Sequence, residues 1–398
     1  MDKDSDLAVT SFDVGDHGEL RRRIRAFFEE DLPKAMQELE SENPAADRIA
    51  QARSYRAALF QAGLAGLDYP SELGGGGGGA DEMAIWREES KGIVPREDAV
   101  FGIGIGMVLP TLRDNSPELA KRFVPPGLRG DEIWCQLYSE PGAGSDLAAL
   151  STRTVRDGDT WVVNGQKVWT SGADNAQLAV LLARTDPDAP KHRGITMFIL
   201  PIEQEGVEVR PLRQMTGIAE FNEVFITDAR IPADWVVGEV NDGWRHAVAL
   251  LAHERVQTGT ASVGVNESER SKSGRVPLPF RQLVELAKER GMADDELVRQ
   301  DLAALYTGEK VMGWLGRRQV HPSIGKLWRT RQGRAAAELA AKLAFPASPA
   351  WMPDDVDPDY WAFHFLNCRG MSLGGGTDEI QRNTLAEKYL ELPRDPRP

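Results

Sequence analysis

Glycines, hydroxyl side chains and carboxyl side chains occur together most densely in one segment of the chain. It reads Gln-Leu-Tyr-Ser-Glu-Pro-Gly-Ala-Gly-Ser-Asp over residues 136–146. Glycines let backbone N–H groups approach a ligand closely, and Ser139 and Ser145 add side-chain hydrogen bonds. The segment does not open the strand–helix–strand unit of a Rossmann dinucleotide site. On chemistry alone, a ligand-binding loop and an ordinary β-turn both stay open.

A second candidate is a single carboxylate within the apolar stretch from Trp244 to Ser262. Glu254 lies between His253 and Arg255. The face that it shares on a helix also carries Ala247, Leu250, Leu251, Thr258 and Ala261. A carboxylate on such a face is costly unless it is paired or has a chemical role. The alternatives are therefore a chemical role for this carboxylate and an ion pair with Arg255 or another basic residue.

Three stretches of different periodicity must position these residues. Apolar residues such as Leu20, Ile24 and Phe27 recur at helical spacing up to about residue 130. Short segments rich in Val, Ile, Thr and aromatic residues then follow, without intervening helices. Helical patterns return from about residue 241. We expect an α+β protein with an N-terminal helical domain (1–130), a central antiparallel β domain (131–240) and a C-terminal helical bundle (241–398).

Several local signals refine this outline. Asn164-Gly165 between two strand-like runs predicts a tight β-hairpin, because both residues tolerate positive φ. Thr377, followed by Asp378 and Glu379, predicts the start of the last helix. The strand candidates are residues 178–183, 195–202, 207–212 and 223–227. The apolar stripe predicted for a long C-terminal helix consists of Ile324, Leu327, Ala335, Leu339 and Leu343.

Composition excludes several classes of protein. The net charge is −14, which argues against a sequence-independent hold on nucleic acid. Only two cysteines occur, so neither a disulfide framework nor a multi-cysteine metal site is expected. No run approaches eighteen apolar residues, and the N-terminus lacks a signal-peptide pattern. We expect no metal site, no membrane span and a cytoplasmic location.

Three segments together resemble the acyl-CoA dehydrogenase family. They are residues 136–146, the sequence Asn-Gly-Gln-Lys-Val-Trp-Thr-Ser-Gly at 164–172, and Gly-Gly-Gly-Thr-Asp-Glu-Ile-Gln-Arg at 374–382. The order of helical, β and helical parts also agrees, so the resemblance covers nearly the whole chain. It implies FAD held between the β domain and the C-terminal helices.

The resemblance also implies roles for individual residues. Trp169 is implied to cover one face of the isoalloxazine ring, which suits a flat indole. Ser171 is implied to lie near the reactive edge of the flavin, and Ser145 to face the acyl-CoA as well. The implied cofactor-binding residues are Gln136, Tyr138, Ser139, Gly144, Ser145, Trp169, Thr170, Ser171, Thr377 and Glu379.

The general base is where this sequence departs from the commonest family pattern. Many members have a Glu before the Gly-Thr of the C-terminal segment, but this chain has Gly375 there. Gly375 can still supply the backbone N–H that polarises the thioester carbonyl. A second placement, as in relatives resembling isovaleryl-CoA dehydrogenase, puts the base in a Glu-Arg pair. The resemblance then implies Glu254 as the base and Arg255 as a substrate-binding residue.

Two further departures concern neighbouring subunits. The Arg-x-x-Phe-Gly segment that reaches FAD across an interface has no clean counterpart in residues 267–278, and the Gly-Gly-x-Gly segment is missing. The resemblance implies a homo- or hetero-oligomer, a dimer or tetramer, that passes electrons to an electron-transfer flavoprotein. Straight, branched and ring-bearing acyl groups stay open. The alternatives are a subunit of a heteromeric dehydrogenase with little catalysis of its own, and a flavin oxidase or monooxygenase.

Overall fold

The computed structural model describes residues 15–43, 46–260, 278–318, 320–345 and 356–394, without the side chains of residues 254–260 and 356–359. Within these ranges the chain forms two compact units. The first runs to Leu212 and continues with Ala219–His253, and the second comprises Arg213–Ile218 and the residues from Glu254 onward.

Six α-helices begin the first unit. They are α1 (His17–Ala26), α2 (Leu32–Glu42), α3 (Arg48–Gln61), α4 (Ala80–Glu89), α5 (Leu109–Asn115) and α6 (Pro117–Arg129). Helix α1 begins at His17 because the Asp16 carboxylate accepts hydrogen bonds from the backbone amides of Gly18 and Glu19. Leu20 and Ile24, one turn apart, are fully buried. The apolar face predicted for this helix is confirmed.

Seven strands follow and form one sheet. They are β1 (Trp134–Leu137), β2 (Arg153–Asp157), β3 (Thr160–Ser171), β4 (Leu178–Arg184), β5 (Ile195–Pro201), β6 (Val207–Leu212) and β7 (Phe221–Pro232). Their order is β1-β4-β2-β3-β7-β6, with β5 paired to β4. Among the described strands, β4 runs parallel to β1 and to one residue of β2, and the other pairings are antiparallel. The predicted central β domain is confirmed, but its sheet is mixed and not purely antiparallel, because β4 pairs in parallel with β1 and β2.

The hairpin predicted at Asn164-Gly165 is wrong. The turn between β2 and β3 lies earlier, at Gly158, whose φ is 58°. Asn164 and Gly165 lie inside β3, at a shift in its register with β7. A Cβ atom at position 165 would lie 2.8 Å from the Cα atom of Thr152. Gly165 is therefore required for the close approach of two backbones and not for a turn.

The helices and the sheet of the first unit share one hydrophobic core. Phe123 of α6 makes edge-to-face contacts with Trp134 of β1 and with Trp235, at centroid distances of 5.5 and 5.0 Å. Such contacts between large buried aromatic rings fix the relative position of the two layers. The sheet therefore has a rigid support on this face.

The remaining helices are α7 (Gly243–Thr260), α8 (Phe280–Glu289), α9 (Glu296–Arg317), α10 (Pro322–Leu343), α11 (Val356–Asn367) and α12 (Asp378–Thr384). The predicted stripe on α10 divides in two. Leu339 and Leu343 are in the core of the second unit, whereas Ile324, Leu327 and Ala335 line an open cavity of about 570 Å³. No helix in the described ranges is long and apolar enough to cross a membrane.

Candidate active site

The loop after β1 is a tight turn with an accessible tip. Glu140 and Ala143 exchange two backbone hydrogen bonds of 3.0 Å. The turn leaves Gly144 and Ser145 exposed, and Ser139 half-buried. A Cβ atom at Gly144 would have no neighbour within 4 Å among the described residues. A flat ligand can therefore approach this backbone closely. Of the other implied residues here, Gln136 is half-buried and Tyr138 is buried.

A buried ion pair lies behind this loop. Lys167 Nζ lies 2.8 Å from Glu140 Oε1, and the two side chains are 0% and 5% exposed. Lys167 Nζ also donates to the backbone carbonyl of Tyr138 at 3.0 Å. Glu140 accepts three further hydrogen bonds, from the amide and hydroxyl of Ser151 and from the amide of Thr152. The carboxylate is thus fully surrounded by donors.

The electrostatics of this pair follow from burial and from these partners. Burial opposes the charge of Glu140, but Lys167 and the hydrogen bonds outweigh it and lower the pKa of Glu140 to about 2. Burial lowers the pKa of Lys167 to about 8, and the nearby carboxylate of Glu140 opposes that change. Both groups are therefore predominantly ionised at neutral pH.

Trp169 follows on the same strand in an unusual conformation. Its φ is 62°, in the left-handed region, at a shift in the β3–β7 register between Lys167 and Thr170. For a residue other than glycine this region costs ~1–2 kcal/mol. The side chain is 58% exposed and meets Phe221 edge to face, with centroids 5.9 Å apart. Trp169 is therefore not an ordinary core aromatic, which would be buried. Strain of this kind is common at functional sites.

The next two residues point to different sides of β3. Thr170 is buried, and its Oγ1 atom has no hydrogen-bond partner among the described residues. Its backbone carbonyl accepts a hydrogen bond from the Asn222 side chain at 3.2 Å. Ser171 is half-buried. Thr170 and Ser171 are paired regularly with β7, and side chains alternate along a strand, so the Ser171 side chain points away from the side on which Thr170 is buried.

In the second unit, the C-terminal segment makes a turn of two glycines before α12. The φ angles of Gly375 and Gly376 are 64° and 80°. Gln381 Nε2 donates to the Gly375 carbonyl at 2.6 Å. Thr377 begins the helix as predicted, because its hydroxyl oxygen accepts a hydrogen bond from the Ile380 amide at 3.2 Å. The backbone at position 375 is therefore held in the left-handed region.

A second lysine–carboxylate pair fixes this turn to α10. Lys326 Nζ lies 2.6 Å from Asp378 Oδ1 and donates to the Ser372 carbonyl at 3.3 Å. Thr330, one turn further along α10, donates to the carbonyl of Met371 at 3.3 Å. The turn thus has a support on each side of Gly375.

The structure gives less information about the remaining predicted site residues. Glu379 is exposed and forms an ion pair with Arg382 at 3.4 Å. The backbone of Glu254 and Arg255 belongs to α7, but their side chains lie outside the described residues. The described part of the chain contains no group of three or more His, Cys, Asp or Glu side chains that could hold a metal ion.

Sequence reasoning missed both lysines and Gln381. Lys167 is a charged residue within a strand pattern, where a polar residue next to Val168 is easily taken for a solvent-facing one. A lysine that shares a strand with an apolar run, together with a Glu in the preceding loop, was the available signal. Lys326 gave no comparable signal, because its partner is 52 residues away.

Comparison with known proteins gives two family profiles that match adjoining parts of the chain. The acyl-CoA dehydrogenase N-terminal domain matches residues 15–131, and the acyl-CoA dehydrogenase middle domain matches residues 135–231. A Mycobacterium tuberculosis protein named acyl-CoA dehydrogenase IpdE1 is 37% identical over 394 residues. The match covers 95% of this chain and 98% of that protein.

Two solved structures are similar over almost their full length. One, titled Tcur3481-Tcur3483 steroid ACAD, has a TM-score of 0.70 and 27% identity, and the match covers 98% of this chain and 100% of that chain. The other is a chain of the ChsE4-ChsE5 complex from Mycobacterium tuberculosis. It has a TM-score of 0.68 and 30% identity, with coverage of 95% and 98% respectively.

Proposed function

The chain belongs to the acyl-CoA dehydrogenase family, a family of FAD-dependent oxidoreductases, and we propose that it oxidises an acyl-CoA thioester to the trans-2-enoyl-CoA. In this reaction a base removes the α-proton, a hydride leaves the β-carbon, and a carbon–carbon double bond forms. The two electrons then pass to an electron-transfer flavoprotein.

The exposed and strained Trp169 is the observation that carries this proposal. An indole that is 58% exposed on the strand following a glycine-rich loop offers a flat apolar surface. The open backbone at Gly144 and the accessible Ser171 lie in the two segments that the family places against the flavin. These features fit a planar aromatic cofactor. Bound FAD would supply the acceptor for the hydride.

The chain's own residues have the following proposed roles. Trp169 covers the ring and excludes water, and Ser171 donates a hydrogen bond near its reactive edge. The backbone N–H of Gly375 polarises the thioester carbonyl and thereby acidifies the α-proton. Glu254 takes that proton, and Arg255 contributes to substrate binding. The other members of the cofactor set are Gln136, Tyr138, Ser139, Gly144, Ser145, Thr170, Thr377 and Glu379.

Flavin reduction by a panel of acyl-CoA thioesters tests the function. We expect the purified protein, alone or with a partner chain, to contain FAD whose absorption bleaches anaerobically with a suitable substrate. The panel should include steroid-bearing thioesters, because one similar structure is titled a steroid ACAD. Failure to bind FAD in every preparation would contradict the proposal. Peroxide formation in air would instead indicate an oxidase or monooxygenase.

Replacement of the base tests the assignment of Glu254. A positioned general base contributes about 10²–10⁴-fold, so we expect Glu254→Gln to slow flavin reduction by roughly that factor. FAD content should not change, because glutamine keeps the shape of the side chain. Glu118→Gln is the control, since the Glu118 side chain is 85% exposed in the first unit. A normal rate in Glu254→Gln would exclude this base.

A second candidate function is that of one subunit in a heteromeric dehydrogenase. Two similar structures have titles that name two chains, Tcur3481-Tcur3483 and ChsE4-ChsE5. The missing cross-subunit segments of this sequence and the glycine at position 375 favour the same arrangement. Co-purification with a related chain tests it. We then expect FAD and activity in the pair and neither in the isolated chain.

A further inference from the structure

The buried pair Lys167–Glu140 connects the two segments that the proposed function places against the flavin. Lys167 precedes Trp169 by two residues on β3, and Glu140 lies within the loop 136–146. Three hydrogen bonds join the segments: two from Lys167 Nζ, to Glu140 and to the Tyr138 carbonyl, and one from the Val168 amide to the Ser139 carbonyl at 2.9 Å. Their relative position is therefore fixed at several points.

Stability alone does not explain this pair. Taking two charges out of water is costly, and apolar residues of similar volume often stabilise a core equally well or better. Hydrogen bonds to charged groups, in contrast, are directional and short. Unlike an apolar contact, the pair gives the backbone a defined geometry at residues 138–140 and at residues 167–168.

The conformation of Trp169 needs such support. A residue in the left-handed region persists only where its surroundings over-determine it. Lys167, on the N-terminal side of the irregularity, is completely buried and held by two hydrogen bonds. Any movement of Lys167 would therefore change the start of the bulge that presents Trp169.

We propose that Lys167 and Glu140 are positioning residues for the cofactor: they hold the glycine-rich loop and Trp169 at the separation that the flavin requires. They do so without touching the reacting atoms. This inference rests on the proposed function, since it presumes that FAD binds at these segments. It assigns a role to two residues that the resemblance did not assign.

Three variants separate positioning from stability: Lys167→Met, Glu140→Gln and the double variant with both substitutions. Each single variant leaves one buried charge without its partner. The double variant leaves no charge and similar volume. It lacks the hydrogen bond to the Tyr138 carbonyl, and the amide nitrogen of the new glutamine cannot accept the hydrogen bonds that one carboxylate oxygen accepts from Ser151 or Thr152. Ile231→Ala is the matched control, because Ile231 is fully buried and pairs with Trp161 at the opposite end of β3. The measurements are the unfolding midpoint, the FAD dissociation constant and the visible circular dichroism of bound FAD.

We expect the double variant to recover part of the stability that Lys167→Met loses, because no unpaired charge remains. We expect all three variants to bind FAD about tenfold more weakly, the value of roughly one directional hydrogen bond. The circular dichroism of bound FAD should change in these variants. Ile231→Ala should lose stability while keeping the wild-type FAD affinity and spectrum.

The inference is overturned if FAD affinity follows stability across the variants, or if the double variant binds FAD as the wild type does. If the variants fail to fold, hydrogen exchange in the wild-type protein tests the inference. The Val168 and Thr152 amides should be among the slowest to exchange in the first unit, and fast exchange there would overturn the inference. A wild-type protein that never binds FAD would instead refute the proposed function.

Discussion

Two lysine–carboxylate pairs of the same chemistry, one in each unit, each support a segment that carries predicted site residues, and the two pairs differ in depth. Lys167–Glu140 in the first unit has an N–O distance of 2.8 Å with side chains 0% and 5% exposed. Lys326–Asp378 in the second unit has a distance of 2.6 Å with side chains 11% and 13% exposed. In each pair the lysine also donates to a backbone carbonyl of the adjoining segment, that of Tyr138 or of Ser372.

The difference in burial determines what happens when a pair is broken. The carboxylate of Glu140 is enclosed by protein donors, so water cannot take the place of Lys167. Asp378 is closer to solvent and lies in the first turn of α12, where the helix dipole favours a negative charge. Two ion pairs with similar N–O distances should therefore contribute unequally to stability. A short N–O distance alone does not indicate which pair contributes more.

The largest expected effect is that of Lys167→Met on folding. Removing one partner of a buried pair typically costs ~3–5 kcal/mol, because the other charge stays buried. Urea unfolding, followed by hydrogen exchange at the amides of β3, measures the change in the free energy of unfolding. A loss below about 1 kcal/mol, the value typical of a surface pair, would show that burial does not set the strength of this pair.

Lys326→Met should have a smaller effect. Asp378 can gain hydration once Lys326 is removed, so we expect the ~1–3 kcal/mol that accompanies a lost polar partner. The same unfolding experiment, monitored at amides of α10, measures it. Lys342→Met is the control on the same helix, because its pair with Asp301 is about half exposed. Equal losses in Lys326→Met and Lys167→Met would contradict the distinction between the two pairs.

Gly375→Ala tests how much the backbone conformation of the turn before α12 contributes to the stability of the second unit. With φ at 64°, a Cβ atom at position 375 should cost ~1–2 kcal/mol. Gly374→Ala is the control, because Gly374 does not have a positive φ. A Cβ atom added at position 374 would lie 3.8 Å from its nearest neighbour, the carbonyl oxygen of Gly370. The free energies of unfolding of the two variants, measured by thermal unfolding, should differ by ~1–2 kcal/mol. The same strain would add ~1–2 kcal/mol to the cost of a glutamate at position 375, where many family members have their base.

The last expected effect is a dependence of stability on acid pH in the first unit. The pKa of Glu140 is about 2, below its ordinary 4.5. The stabilisation by this carboxylate is therefore present above pH 4.5 and is lost as pH falls toward 2. The difference in stability between wild type and Glu140→Gln should shrink over this range. A difference that stays constant from pH 6 to pH 3 would mean that Glu140 is not selectively stabilised as the anion.

Local sequence signals predicted the elements of this protein well. The spacing of Leu20 and Ile24 predicted a buried helical face, and Thr377 predicted the start of α12. Both signals depend on residues within one turn of each other. The three family-like segments likewise depend on contiguous residues, which is why the sequence could indicate Trp169 and Ser171 as candidates. The role of Glu254 stays a prediction, because its side chain lies outside the described residues.

The same local reasoning failed at Asn164-Gly165. Its residue types favour a two-residue turn, yet β3 continues through both of them. The deciding contact is with Thr152, which comes from a different part of the chain and requires a residue without a side chain at position 165. The local pattern assigned Gly165 to a turn, but a tertiary contact explains why a glycine is needed there.

The order of helical and β parts and the start of α12 follow from the residue pattern alone, and the same pattern indicates the segments that carry the candidate site residues. Which charged residues meet, and how deeply they are buried, depends on the packing of elements that are far apart in the chain. Glu140 and Lys167 are 27 residues apart, and Lys326 and Asp378 are 52 apart. The physical reason is that helix and turn preferences act over a few residues, whereas strand register and helix packing bring distant residues together. A lysine in a strand pattern therefore becomes a buried partner or a solvent-facing charge only when the sheet has formed.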